Sequence, residues 1–124
     1  MPTIGATTML DYAVSRAKEL PVERGKQRVY AVIVDRKGRI ISESANTYTK
    51  THPTQKKYAL KAGCSEHKTY LHAEMRAIIF SKGVGAKMYI ARVGYKGDSL
   101  PGFPCPICQL ALKDAGINSV ECTV

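Results

Sequence analysis

No stretch of this chain approaches the roughly eighteen consecutive apolar residues that cross a bilayer. Its first residues also lack the charged-then-apolar layout of a secretion signal. A membrane partner is therefore not expected, and a cytoplasmic location is. No internal repeat, low-complexity tract or linker interrupts the 124 residues, so 1–124 should form a single domain around one core. Acidic residues are scarce: ten Asp and Glu face nineteen Lys and Arg, a formal charge of +9. That imbalance points to an anionic ligand, whether a nucleotide phosphate or a nucleic-acid backbone, although net charge also serves solubility. Cysteine is sparse as well, with four in the chain. The absent signal and the metal-type spacing of Cys105 and Cys108 argue for reduced thiols rather than disulfides, and Cys64 and Cys122 read as bystanders.

What is present centres on His72-Ala73-Glu74 and, further on, Pro104-Cys105-Pro106-Ile107-Cys108. A histidine with a glutamate two positions later, followed downstream by Pro-Cys-x-x-Cys, is the signature of zinc-dependent base deaminases. One histidine and two cysteines supply three positions of a tetrahedral zinc and leave the fourth for a water, as in a catalytic rather than a structural site. Glu74 then need not be a ligand. Met75, Ile78 and Ile79 recur at helical spacing up to Gly83, which predicts a helix over 72–82 with His72 and Glu74 in its first turn. Pro106 at a first helical position, the run Leu110, Ala111, Leu112 and Ala115, and the stop at Gly116 predict a second helix over 106–115. Two helix N-termini should thus meet at the metal, their positive ends favouring thiolates.

In chain order, residues 8–20 read as an amphipathic helix with Thr8 as N-cap and Asp11 three positions on. Its stripe is Leu10, Ala13, Val14, Ala17 and Leu20. The unbroken apolar run within Arg28 to Asp35 predicts a strand buried on both faces, and Ile40 to about Thr47 a second, joined by the turn Arg36-Lys37-Gly38-Arg39 into a hairpin at the centre of the sheet. Lys87 to Val93 and Ser119 to Val124 read as two more strands. Strands alternating with helices imply crossovers and a sheet covered on both sides. The stretch 47–71 holds five lysines against Glu66, along with three tyrosines, and leads into His72. Part of it is expected to be a short helix, and Lys56, Lys57 and Tyr70 are its candidates for contact with a substrate. Gly94 to Phe103 is expected to form the opposite wall.

These motifs identify the chain as similar to the cytidine and deoxycytidylate deaminase superfamily over essentially its whole length, above all to its short phage-type members. The resemblance implies a three-layer α-β-α sandwich with a mixed sheet of four to five strands. It also implies a Zn2+ cofactor held by His72, Cys105 and Cys108, with Glu74 as the proton shuttle. Asn46 matches an asparagine that contacts sugar or base in this superfamily, while on sequence alone it is equally a residue ending a strand. The amides of Ala73 and Cys105 would bind the base. Arg76 stands where deoxycytidylate deaminases commonly carry asparagine, which weakens the case for that substrate. The basic segment around His52 has no assigned counterpart, and a surface role for His52 is expected. A sheet edge left uncovered after the last strand would favour a homo-oligomer.

The expected activity is hydrolytic deamination of a dCMP-like cytosine nucleotide or nucleoside to the uracil form, with release of ammonia. One alternative is a deaminase of cytosine or adenine in single-stranded DNA or RNA, its lysines tracking the backbone and its tyrosines stacking on bases. A second is an inactive zinc-binding structural module, against which an intact Glu74 speaks.

Overall fold

The computed structural model describes residues 8–22, 27–46, 53–62, 72–81 and 85–124. The elements run α1 (Met9–Glu19), β1 (Arg28–Val34), β2 (Ile40–Ala45), α2 (Pro53–Lys61), α3 (Ala73–Ser81), β3 (Lys87–Val93), β4 (Ser99–Leu100), α4 (Pro106–Asp114) and β5 (Ser119–Cys122). They build a three-layer α-β-α sandwich around a mixed sheet. β1 pairs antiparallel with both β2 and β3, while β5 runs parallel to β3 and β4 antiparallel to it. Among the described residues no helix is long and apolar enough to cross a membrane.

Every residue of β1 is buried, as its unbroken apolar run requires. Its side chains alternate between two cores. Val29, Ala31 and Ile33 join Ala73, Ala77, Met88, Ile90 and Leu112 on the side of α3 and α4. Tyr30, Val32 and Val34 join Ala13, Ala17, Ala91 and Val93 on the side of α1. Helix α1 begins as its sequence dictates: the Asp11 amide donates to Thr8 Oγ1 at 3.0 Å, and the Thr8 amide donates back to Asp11 Oδ2 at 3.4 Å, a reciprocal capping box. Helix α4 also closes where expected, because Gly116 takes φ +76° and lets the Ile117 amide reach the Leu112 carbonyl at 3.0 Å. Gly83, the expected stop of α3, lies outside the described residues.

The sheet has five strands, within the expected four to five, and differs from the expectation in one respect. The hairpin is not at its centre: β2 is the edge, and β1 and β3 are the inner strands. β3 buries Met88, Ile90, Ala91 and Val93 against the two cores and so pairs along the whole of β1, whereas β2 buries only Ser42 and Ser44 and leaves Ile40 exposed, as suits an edge. The fifth strand, β4, appears within the glycine-containing segment. It is only two residues long, and Thr123 ties it in. Thr123 Oγ1 accepts from the Arg92 amide at 3.0 Å and donates to the Leu100 carbonyl at 2.6 Å, and the Thr123 amide donates to the Ile90 carbonyl at 3.0 Å. β4 and β5 thus lie along one side of β3, one after the other.

The expected short helix within 47–71 is α2, which packs on α4. Tyr58 and Ala62 flank a core of Met75, Ile107 and Ala111. Tyr58 Oη donates to Asp114 at 2.8 Å, and Lys61 Nζ lies 3.7 Å from the same carboxylate.

Candidate metal centre and active site

Helix α3 lies along β2 and runs opposite to it. Ser42 Oγ donates to the Ala77 carbonyl at 2.8 Å, and Arg76 Nη1 donates to the Ala45 carbonyl at 2.8 Å. The N-terminus of α3 therefore sits over the end of β2, where Asn46 follows. His72 immediately precedes this helix, and its carbonyl accepts from the Arg76 amide at 3.0 Å, the first bond of the helical ladder. Cys105 occupies the same place on α4: it is the N-cap, and its carbonyl accepts from the Gln109 amide at 2.9 Å. Both first ligand candidates thus immediately precede their helices: α3 starts one residue later than the span read from the sequence, which included His72, and α4 starts at Pro106 as read. Cys108 is inside the first turn of α4 and buried. The approach to Cys105 is set by its neighbours. Gln109 Nε2 donates to the Pro104 carbonyl at 2.8 Å. Gly102 passes so close to β3 and β5 that an added Cβ would stand 3.0 Å from Thr123 Oγ1 and 3.1 Å from the Ile90 carbonyl.

The ligating atoms of His72, Cys105 and Cys108 all lie within 4.8 Å of one another. His72 Nδ1 is 3.4 Å from Cys108 Sγ and 3.5 Å from Cys105 Sγ. A tetrahedral zinc with ordinary Zn–N and Zn–S bonds requires N···S edges of roughly 3.6 Å, so this donor set fits that ion with little movement. The two sulfurs differ in acidity. The hydrogen bond with the Cys108 thiol is the largest influence bringing Cys105 down to about 4, with His72 adding to it. Cys108 is pushed well above its ordinary value, first by sharing that bond and then by burial. Of the two sulfurs, Cys105 is thus the one that more readily takes the thiolate form. His72 is raised by its hydrogen bond to Cys105, against the effects of burial and of the positive charge of Arg92.

Glu74 is only 3 % exposed. Burial raises its pKa, opposed in part by the charges of His72 and Arg92, and this favours a carboxyl group that can hold a proton. Ala73, between the two functional residues, is fully buried in the core shared with β1 and β3, which anchors the motif to the sheet. Its amide belongs to the first turn of α3, where N–H groups have no intrahelical partner.

The other sequence candidates are placed differently. Asn46 Oδ1 accepts from the Val29 amide at 3.0 Å, and the Asn46 amide donates to the Val29 carbonyl at 3.0 Å, so its side chain extends the ladder at the end of β2. Lys57 is exposed, with its ammonium 5.6 Å from the centroid of the Tyr58 ring. Lys56 lies in α2, but its side chain, like the whole of Tyr70 and His52, falls outside the described residues. Cys122 is unpaired, packs against the core beside β3, and is no part of the metal cluster. Phe103, two residues before Cys105, is 68 % exposed at the mouth of the glycine-containing segment.

Sequence reasoning missed Arg92. On β3, Met88 and Ile90 face α3 and α4 whereas Tyr89, Ala91 and Val93 face α1, so the alternation turns Arg92 toward the helices that carry the metal cluster. Its charge bears on both His72 and Glu74. The available signal was a lone arginine in an otherwise apolar strand interior.

A family described as the cytidine and deoxycytidylate deaminase zinc-binding region matches residues 5–124. Among curated proteins, no sequence matches the chain. The fold is similar to the crystal structure of cytidine deaminase from Mycobacterium leprae, with a TM-score of 0.54 and 19 % identity over 90 % of this chain and 83 % of that one. It is similar also to cytidine deaminase from Mycobacterium tuberculosis, with a TM-score of 0.52 and 20 % identity over 90 % and 80 % of the two chains.

Proposed function

Since the chain belongs to the cytidine and deoxycytidylate deaminase family, whose zinc-binding region it matches over residues 5–124, we propose that it deaminates a cytosine nucleotide or nucleoside, with a dCMP-like substrate preferred. The products are the uracil form and ammonia. The observation that carries this reading is the convergence of His72, Cys105 and Cys108 beside a buried Glu74, at the meeting point of two helix N-termini. The cofactor is Zn2+, and His72 Nδ1 with the two cysteine sulfurs would hold it. When bound, the metal supplies the Lewis acidity that makes water nucleophilic near neutral pH.

The remaining work falls to this chain's own groups. The Glu74 carboxylate takes a proton from the attacking water as the new C–O bond forms at the carbon bearing the exocyclic amine. It passes that proton to the ring nitrogen, then takes the remaining proton from the new hydroxyl group and delivers it to the departing amine as the C–N bond breaks, so that one residue serves as base and acid in turn. The positive end of α3 and the free amide of Ala73 favour the carbonyl edge of the base. Burial of Glu74 excludes bulk water from that proton path. Asn46, at the end of β2, is the candidate for holding the sugar, and Lys56, Lys57 and Tyr70 are candidates for the approach to the site.

Ammonia release from a panel of cytosine and adenine nucleosides, nucleotides and single-stranded oligonucleotides tests the proposal. Turnover is expected with the free cytosine compounds. Turnover with oligonucleotides but with no free nucleotide would replace this reading with the nucleic-acid one.

A further inference from the structure

Two arginines stand on the inner strands of the sheet, and the fold treats their guanidinium groups differently. Arg28, at the start of β1, is buried and spans three carbonyls. Its Nη1 donates to Lys18 at 3.0 Å and to Leu20 at 3.3 Å, and its Nη2 donates to Gly94 at 3.1 Å. It fastens the end of α1 to the sheet. Arg92, on the neighbouring strand, uses its backbone amide in the bond to Thr123, but its guanidinium makes no hydrogen bond or ion pair with the described residues. The Nε of both arginines is buried without a partner. In Arg28 the rest of the fork compensates, and in Arg92 it does not.

The position of Arg92 is defined by a row across the sheet. Asn46 bonds to Val29, Val29 is paired with Arg92, and Arg92 is paired with Leu100. This row lies beneath the N-terminal end of α3, where His72 and Glu74 are. The described cationic side chains of α2 and α3 are placed elsewhere. Arg76 turns to the Ala45 carbonyl, while Lys61 lies by Asp114 at the end of α4 remote from Cys105, and Lys57 lies by Tyr58 in the same cluster. An unpartnered guanidinium beside a base-binding site is suited to a group that accepts two parallel hydrogen bonds and carries negative charge, which a phosphate does.

We infer that Arg92 is a substrate-binding residue that sets specificity for a phosphorylated nucleotide, its guanidinium holding a phosphate oxygen while the base sits at Glu74 and the metal cluster. The inference rests on the deaminase reading above and names the substrate class for that site. Lys56 and Lys57 then act at longer range, attracting the anion rather than clamping it.

The test compares wild type with Arg92→Met and Arg92→Lys, using deoxycytidine 5′-monophosphate and deoxycytidine as probes. Turnover is read by ammonia release, binding by calorimetry and folding by Tm. For Arg92→Met, KM and Kd for the nucleotide should rise roughly ten- to a hundredfold, the effect of losing a charge-assisted hydrogen bond. Values for the nucleoside should change far less, so that the ratio of nucleotide to nucleoside rises roughly tenfold or more, and Arg92→Lys should fall between. Tm should not drop, since the substitution removes a donor that the fold leaves unmet. An unchanged ratio of nucleotide to nucleoside, equal losses on both probes, or a lowered Tm with no change in that ratio would overturn the assignment. The two readings fail separately. Selective loss of nucleotide binding without ammonia release from either probe would retain Arg92 and sink the deaminase activity. Normal turnover with an unchanged ratio would do the reverse.

Discussion

Glu74 is the residue on which deamination and mere metal binding part company. A closed structural zinc site has no use for a carboxylate 3 % exposed beside its ligands, whereas a proton shuttle needs one held out of bulk water. Glu74→Gln preserves shape and part of the hydrogen bonding but cannot accept a proton. It should therefore retain one zinc per chain while turnover falls by roughly 10²- to 10⁴-fold, as metal analysis and ammonia release will show. Cys105→Ala should lose the metal itself, and Cys122→Ala should keep it, because Cys122 is outside the cluster. At this scale the sequence was informative wherever chemistry depends on neighbours along the chain. His72 and Glu74 are two residues apart, Cys105 and Cys108 three, and helical geometry turns those spacings into one site. Arg92 carries no such local mark, because its direction depends on strand pairing.

Among the elements, the β1–β2 turn offers a prediction with a definite sign. Asp35 Oδ1 accepts from the amides of Lys37 and Arg39, each at 2.9 Å, and Asp35 Oδ2 accepts from Arg39 Nε at 3.0 Å. The Arg39 amide foremost, with its guanidinium and the Lys37 amide, holds the Asp35 carboxyl below the ordinary carboxylate range. A group depressed in the folded state contributes stability that is fully present above its unfolded pKa of about 3.9 and is lost as the pH falls through the lower, folded value. Asp35→Asn should accordingly lower Tm at neutral pH, and the gap from wild type should close as thermal unfolding is followed into acid below that range. The same turn was legible from Arg36-Lys37-Gly38-Arg39, since Gly38 takes φ +81°. β4 was not. Two residues have no periodicity to detect, and Ser99–Leu100 is a strand only because β3 and Thr123 offer it partners.

For the molecule as a whole, the formal charge of +9 makes salt dependence a discriminating measurement. If the substrate is a monomeric nucleotide, a single phosphate group is engaged and KM should rise only mildly with ionic strength. A single-stranded substrate would engage several phosphates at once, and its affinity should fall with a log–log slope of about −0.7 per contact. A steep slope for the nucleotide itself would contradict the one-phosphate site.

What the sequence determined by itself is what short-range geometry encodes. The capping box of α1, the fully buried run of β1, the glycine stop of α4 and the His-x-Glu and Cys-x-x-Cys pairs each need only the spacing of adjacent turns or the alternation of one strand. The tertiary structure alone decided which strands are inner and which is the edge, that α2 packs on α4, and that Arg92 faces the metal cluster while Arg28, one register step away on β1, faces α1. Those outcomes depend on pairing between residues far apart in the chain. Because side chains alternate along a strand with period two, a shift of one residue in the pairing would send Arg92 to the other face and leave the site without it.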